Sequence, residues 1–118
     1  FHCALMRPAE VRLTPELRAV AARDPRVPVV ANVDAAPKTG AVASIDALIR
    51  QVSAPVRWED CVRRLASAGV TAYVEVGPGT VLSGLVKKIA RDAVILNLDA
   101  PEGLAPIEAL AASGSAHA

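Results

Sequence analysis

Aromatic side chains are almost absent from this sequence of 118 residues. They make up 3 % of it and are Phe1, Trp58 and Tyr73. Hydrophobic residues nevertheless account for 53 % and charged residues for 21 %, which excludes an intrinsically disordered composition. The length is that of one domain or of part of a larger one. The core must therefore be built from valine, leucine, isoleucine and alanine.

Cysteine is scarce too, and neither sign of charge is in excess. Cys3 and Cys61 lack the paired spacing of a disulfide framework or a zinc site, and they fit a reducing compartment, so we expect a cytoplasmic location. Thirteen Lys and Arg against twelve Asp and Glu leave a formal net charge of +1. Binders of nucleic acid or anionic membranes usually carry a strong basic excess. No apolar run approaches the ~20 residues that span a bilayer. We therefore expect neither nucleic acid nor membrane as a partner.

Hydrophobic periodicity predicts helices that alternate with short strands. The predicted helices cover residues 8–24, 44–54, 57–68, about 80–91 and 104–111, and the predicted strands cover residues 27–33, 70–76 and 93–98. Pro15 should bend the first helix or restart it with Thr14 as the N-cap, and Ser44 should cap the second. The alternation predicts an α/β fold with a mainly parallel sheet, and three strands suggest one edge of a larger sheet. No domain boundary is visible.

Few residues are candidates for chemistry on their own. His2 is the most interesting titratable group, although a single histidine is more often structural. Cys3 directly follows it and is expected to be a small buried side chain, as is Cys61 on an apolar helix face. Trp58 is expected to be a core anchor whose indole N–H finds a partner. The tail residue His117 should be solvated.

Three further patterns are ambiguous or missing. The Gly77-Pro78-Gly79 turn could present backbone N–H groups to an anion, but it matches no phosphate-binding motif, so a tight turn is favoured. Glu75 and Asp99 lie near strand ends without a second acid or histidine spaced to form a metal site. No Gly-x-Ser-x-Gly nucleophile elbow is present, so an acyltransferase would lack its attacking group.

Five stretches taken together carry a resemblance to one family. They are His2-Cys3-Ala4-Leu5-Met6-Arg7-Pro8-Ala9, Val27-Pro28-Val29-Val30-Ala31-Asn32-Val33-Asp34, Leu48-Ile49-Arg50-Gln51, Pro55-Val56-Arg57-Trp58 and Glu75-Val76-Gly77-Pro78-Gly79-Thr80-Val81-Leu82-Ser83-Gly84-Leu85. This set resembles the C-terminal portion of the bacterial malonyl-CoA:acyl carrier protein transacylases of fatty acid synthesis, to which polyketide synthase acyltransferase domains are related. The order of the five motifs makes the resemblance specific, although each one is weak alone.

The resemblance implies a fold and two site residues. The fold would be the C-terminal part of an α/β-hydrolase-like acyltransferase core, without the family's inserted ferredoxin-like subdomain. Residues 1–112 would belong to that core, and residues 113–118 would form a flexible tail. His2 matches the histidine that activates the family's serine nucleophile. Gln51 matches the residue whose main-chain carbonyl orients that histidine in place of an aspartate.

The resemblance also implies partners and leaves alternatives open. The substrates would be malonyl-CoA and phosphopantetheinylated acyl carrier protein, without a cofactor or a metal. The family's serine and malonyl-binding arginine would belong to a missing N-terminal portion, so we expect the 118-residue chain alone to be inactive. The alternatives are a non-catalytic interaction module, an anion-binding module that uses the Gly77-Pro78-Gly79 turn, and a polyketide-type acyltransferase with another acyl specificity.

Overall fold

The computed structural model describes residues 2–114, which divide into two compact units between Leu65 and Ala66. The first unit contains a 3₁₀ turn (Ala4–Met6), helix α1 (Arg7–Ala19), strands β1 (Val29–Val30) and β2 (Pro37–Lys38), and helix α2 (Ala41–Arg50). Helix α3 (Trp58–Ser67) includes the division point. None of the helices in residues 2–114 has the length and apolar character needed to cross a membrane.

Helix α1 is continuous through Pro15, so it does not restart at Thr14. The Thr14 hydroxyl donates a hydrogen bond to the carbonyl of Glu10 at 2.7 Å, four residues earlier, and therefore does not act as an N-cap. Pro8 lies in the first turn, where the missing N–H costs nothing. The helix ends at Ala19, five residues before the predicted end at Asp24.

The predicted buried strand over residues 27–33 is wrong in length and in pairing. Of these residues only Val29 and Val30 form a strand, which pairs antiparallel with Pro37–Lys38, where the sequence predicted no strand. The cause is a tight turn in which the Asp34 side chain accepts the N–H of Ala36 at 3.1 Å. Ala35 adopts φ 53°, in the left-handed region, and so reverses the chain. A run of apolar residues could not reveal this turn.

Helix α2 begins at Ala41 and not at Ser44. Its N-terminal N–H on Ala41 is satisfied by the carboxylate of Asp24 at 2.8 Å, from outside the helix. The Ser44 hydroxyl instead donates to the carbonyl of Gly40. The core of the first unit is small and aliphatic, with the buried residues Ala31, Ala47, Ile49, Cys61 and Val62.

The second unit follows the sequence prediction closely. Strand β3 (Ala72–Val76), helix α4 (Val81–Ile89) and strand β4 (Val94–Leu98) form a β-α-β element, and the two strands pair in parallel from Ala72↔Val94 to Val76↔Leu98. A second 3₁₀ turn (Pro101–Gly103) leads into helix α5 (Leu104–Gly114). The α/β class with a parallel sheet is thus confirmed. Helix α5 includes Ser113, which the sequence assigned to a tail, and residues 115–118 lie outside the described residues.

Candidate active site

The structure brings His2 and Gln51 together across 49 residues of sequence. The His2 Nδ1 atom lies 2.8 Å from the main-chain oxygen of Gln51. Because a carbonyl oxygen can only accept, Nδ1 must carry the proton, and Nε2 of the neutral ring keeps a free lone pair. The His2 side chain is exposed, so Nε2 is accessible to a reacting group. This arrangement leaves Nε2 able to accept a proton.

The backbone at His2 adopts an unusual conformation. Its φ is 55°, in the left-handed region that few residues other than glycine enter, although histidine is enriched among them. Such conformations cost free energy and cluster at active sites, where the surroundings hold them in place. The 3₁₀ turn that follows, closed by the Met6 N–H on the Cys3 carbonyl at 2.9 Å, leads directly into α1.

Helices α1 and α2 hold the two site residues near each other. Gln51 is the C-cap of α2, and its N–H bonds to the Ala47 carbonyl. Helix α1 contacts α2, and an ion pair of 2.9 Å joins Arg18 on α1 to Asp46 on α2. Nearer to the site, the Ser53 hydroxyl donates a short hydrogen bond to the Glu10 carboxylate. The geometry of the site therefore depends on the packing of two helices.

A cluster of charged side chains adjoins Gln51. The Asp34 carboxylate accepts from Lys38 Nζ at 2.7 Å and from Arg50 Nη2 at 2.9 Å, and Arg50 immediately precedes Gln51. The hydrogen bond from Lys38, and with it the one from Arg50, lowers the pKa of Asp34 far below its usual range. Asp34 therefore stays ionised at any pH at which a histidine base works.

The two cysteines have different surroundings. Cys3 is exposed, so the expectation of a buried side chain was wrong for it. It lies in an extended conformation just before the 3₁₀ turn. Cys61 is buried as predicted, with its Sγ 3.5 Å from the Ala31 carbonyl, and burial raises the pKa of its thiol. A raised pKa makes it a poor nucleophile.

The Gly77-Pro78-Gly79 turn is tight, and the helix N-terminus beyond it already has an anionic partner. Gly77 and Gly79 adopt φ of 129° and 90°, which other residues rarely tolerate. The carboxylate of Glu75 accepts the N–H groups of Leu82 at 3.1 Å and Ser83 at 2.7 Å. Hydrogen bonds from the hydroxyl and the N–H of Ser83 lower the pKa of Glu75. Because a carboxylate already occupies these donors, the structure disfavours an anion site here.

The remaining sequence predictions concern Trp58, metal binding and His117. Within residues 2–114, the buried Trp58 Nε1 has no hydrogen-bond partner, so the expectation of an indole partner was wrong. The same residues contain no group of three or more His, Cys, Asp and Glu able to hold a metal ion. His117 lies outside the described residues.

Sequence reasoning missed the side chains that surround Gln51. Asp34 bonds to Arg50 across 16 residues, and Glu10 bonds to Ser53 across 43. Neither pair has a periodic or motif-like spacing, and each joins segments that are distant in sequence. No pattern in the sequence could have indicated them.

Comparison with known proteins identifies homologues. The chain is 46 % identical over 103 residues to the malonyl CoA-acyl carrier protein transacylase of Salmonella typhimurium and 44 % identical over 104 residues to that of Escherichia coli K12. These matches cover 87 % and 88 % of the chain. The resemblance seen in the sequence is confirmed. The chain spans about a third of the length of these transacylases, 33 % and 34 %. A search of protein-family models finds none that matches.

Solved structures of transacylases share the fold. The acyl-carrier-protein S-malonyltransferases of Burkholderia pseudomallei and Bartonella henselae superpose with TM-scores of 0.83 and 0.87, at 40 % and 32 % identity. The matches cover 91 % and 93 % of this chain and 35 % of each of those chains. A third similar structure, with a TM-score of 0.79 at 39 % identity, is a malonyl-transacylase in complex with its type II polyketide acyl-carrier protein. The predicted acyltransferase fold class is therefore confirmed.

Proposed function

We propose that this chain is the C-terminal, base-bearing part of a malonyl-CoA:acyl carrier protein transacylase of fatty acid synthesis. The observation that carries the proposal is the 2.8 Å contact between His2 Nδ1 and the Gln51 carbonyl, which leaves Nε2 free as a base. It is supported by the similar proteins reported above, which are named transacylases or S-malonyltransferases and of which this chain covers about a third.

The proposed reaction has two acyl transfers through a serine ester. His2 Nε2 takes the proton of a serine supplied by the rest of the protein while the serine oxygen attacks the malonyl thioester. The resulting imidazolium, held by the Gln51 carbonyl, returns the proton to the departing CoA sulfur. In the second transfer His2 takes the proton of the phosphopantetheine thiol as sulfur attacks the ester, and then reprotonates the serine.

The proposal assigns partners that this chain alone does not contain. They are the N-terminal portion of the same enzyme, a coenzyme A thioester and an acyl carrier protein. The two thioester carriers are substrates, and the proposed steps use no bound cofactor. We place the enzyme in the cytoplasm because both cysteines are free thiols, as a reducing compartment would keep them.

Exposed apolar side chains favour this proposal over a self-contained interaction module. Val74 and Val76 on β3 and Val94 on β4 are 38 %, 74 % and 46 % exposed. A parallel sheet normally has both faces covered, and a closed module should have polar sheet edges. A polyketide-type role remains a second candidate, since one similar structure is a polyketide malonyl-transacylase.

The test is a His2→Ala substitution in the full-length protein, with Cys3→Ala as the neighbouring control. Transfer of malonyl from malonyl-CoA to holo acyl carrier protein would be followed by intact mass. His2→Ala should slow both serine acylation and transfer by ~10²–10⁴-fold, and Cys3→Ala should leave them within about twofold. The 118-residue chain alone should show no transfer. Wild-type-like rates for His2→Ala would refute the proposal.

A further inference from the structure

Gln51 is held in place on both sides by carboxylates that do not contact His2. On one side Arg50, the preceding residue, donates to Asp34 at 2.9 Å. On the other side the hydroxyl of Ser53, two residues later, donates to Glu10. The peptide whose oxygen accepts from His2 is thus the middle of a short segment, residues 50–53, with an anchored side chain near each end.

The two anchors have different physical strengths. Asp34 is itself immobilised, because it also accepts from Lys38 Nζ at 2.7 Å and from the N–H of Ala36 at 3.1 Å. The Lys38 side chain is only 10 % exposed, so solvent screens this part of the cluster little. The Arg50 side chain is 50 % exposed, so its ion pair with Asp34 would be weak without Lys38. Glu10 and Ser53, which form the other anchor, are both half-buried.

The second anchor links Gln51 to the helix that follows His2. Glu10 lies in the first turn of α1, and the 3₁₀ turn connects that helix directly to His2. The Glu10–Ser53 contact therefore sets the separation of the two chain segments that meet in the His2–Gln51 hydrogen bond. His2 needs such support because its left-handed φ would otherwise relax.

We propose that Glu10 and Asp34 are positioning residues, which hold residues 50–53 so that the Gln51 carbonyl keeps the proton of His2 on Nδ1. The inference rests on the proposed function, since the tautomer matters because Nε2 must be the base. Substituting either carboxylate should leave substrate binding intact and lower the chemical rate. Each acts through Gln51, and neither touches the reacting atoms.

The variants are chosen to keep shape while removing one interaction. Asp34→Asn keeps an amide oxygen for one donor, but its NH₂ group must face either the Arg50 or the Lys38 cation, so both cannot be satisfied. Ser53→Ala removes the other anchor, and Ser53→Thr keeps its hydroxyl. Asp46→Asn is the control, because its ion pair with Arg18 also joins α1 to α2 but lies outside residues 50–53.

The experiment measures the His2 tautomer and the kinetics in the full-length protein. Imidazole ¹⁵N NMR would report the proton position, with the His2 signals assigned by comparison with a His2→Gln variant. Asp34→Asn and Ser53→Ala should each move population from the Nδ1–H to the Nε2–H form. The double variant should lower kcat roughly tenfold to a hundredfold with KM for malonyl-CoA little changed. Ser53→Thr and Asp46→Asn should resemble the parent.

The two failures can be told apart. An unchanged tautomer in Asp34→Asn and Ser53→Ala would overturn the positioning role, whatever the activity. A change of equal size in Asp46→Asn would also overturn it, because general loosening of α1 against α2 would then be the cause. If the variants shift the tautomer but the parent protein transfers no malonyl group, the proposed function is refuted and the positioning role stands. If Asp34→Asn does not fold, the comparison of Ser53→Ala with Ser53→Thr still tests the positioning role.

Discussion

The role of Gln51 can be tested because a main-chain role and a side-chain role predict different effects of Gln51→Ala. The hydrogen bond to His2 uses the carbonyl oxygen of Gln51, and the main-chain N–H of Gln51 donates to the Ala47 carbonyl. Gln51→Ala keeps both groups at the C-cap of α2. The substitution therefore removes the side chain and leaves the proposed orienting group in place.

The expected magnitude follows from the charge on the imidazole. A hydrogen bond to a charged group contributes about 1.5–3 kcal/mol, against about 0.5–1.5 kcal/mol for a neutral one. If the Gln51 side chain held the imidazolium, its removal would cost roughly tenfold to a hundredfold or more in kcat. Because the carbonyl holds it, we expect Gln51→Ala to change kcat by less than about threefold, and His2→Ala by ~10²–10⁴-fold.

The assay is pre-steady-state acylation of the full-length protein by malonyl-CoA, read by quenched-flow mass spectrometry. Parent, Gln51→Ala and His2→Ala would be compared at one pH, with circular dichroism to check folding. A loss of roughly tenfold or more for Gln51→Ala, in a folded protein, would refute the carbonyl as the orienting group. The side chain would then be the functional part of Gln51.

Two further predictions concern the second unit. A Cβ on Gly103 would lie 2.6 Å from the Asn97 carbonyl oxygen, so Gly103→Ala should destabilise the protein by about 1–3 kcal/mol. A Cβ on Gly84, within α4, would have no such neighbour within 4 Å, so Gly84→Ala should stabilise the protein by about 0.5–1 kcal/mol. Opposite shifts of the melting temperature for the two variants would confirm these predictions, and a stabilised Gly103→Ala would contradict the geometry. Glu75→Gln should lower the melting temperature at pH 7, because the lowered pKa of Glu75 means that its ionised form stabilises the fold above its unfolded pKa of about 4.3. That difference should shrink as the pH falls through the lower folded pKa, and a difference that is constant with pH would contradict it.

Local chemistry explains why the second unit was predictable. The valine alternation around β3, the apolar stripe of α4 and the Gly77-Pro78-Gly79 turn between them act within a few residues of one another. Residues near in sequence stay near in any compact state, so these signals survive tertiary packing. The strands and the crossover helix therefore lie within a few residues of the predicted bounds.

Distant partners explain why the first unit was predicted less well. The cap of α2 comes from Asp24, 17 residues before Ala41, and not from Ser44 inside the helix. The strand predicted over residues 27–33 is cut short by the turn at Asp34 and Ala35, and it pairs with residues 37–38. Apolar runs indicate burial, but they carry no information about which strand will pair.

Residue patterns were enough to predict the fold class and the parallel β-α-β element, and the order of five motifs pointed to His2, Gln51 and a main-chain contact between them. The folded chain adds the geometry of that contact, with Nδ1 2.8 Å from the Gln51 oxygen, and the hydrogen bonds by which Asp34 and Glu10 bind residues 50–53. The physical reason is the sequence separation of the interacting residues. Helix and turn preferences act over a few residues, whereas these hydrogen bonds close loops of 16 to 49 residues. Such loops close only when packing within the first unit offsets their entropy.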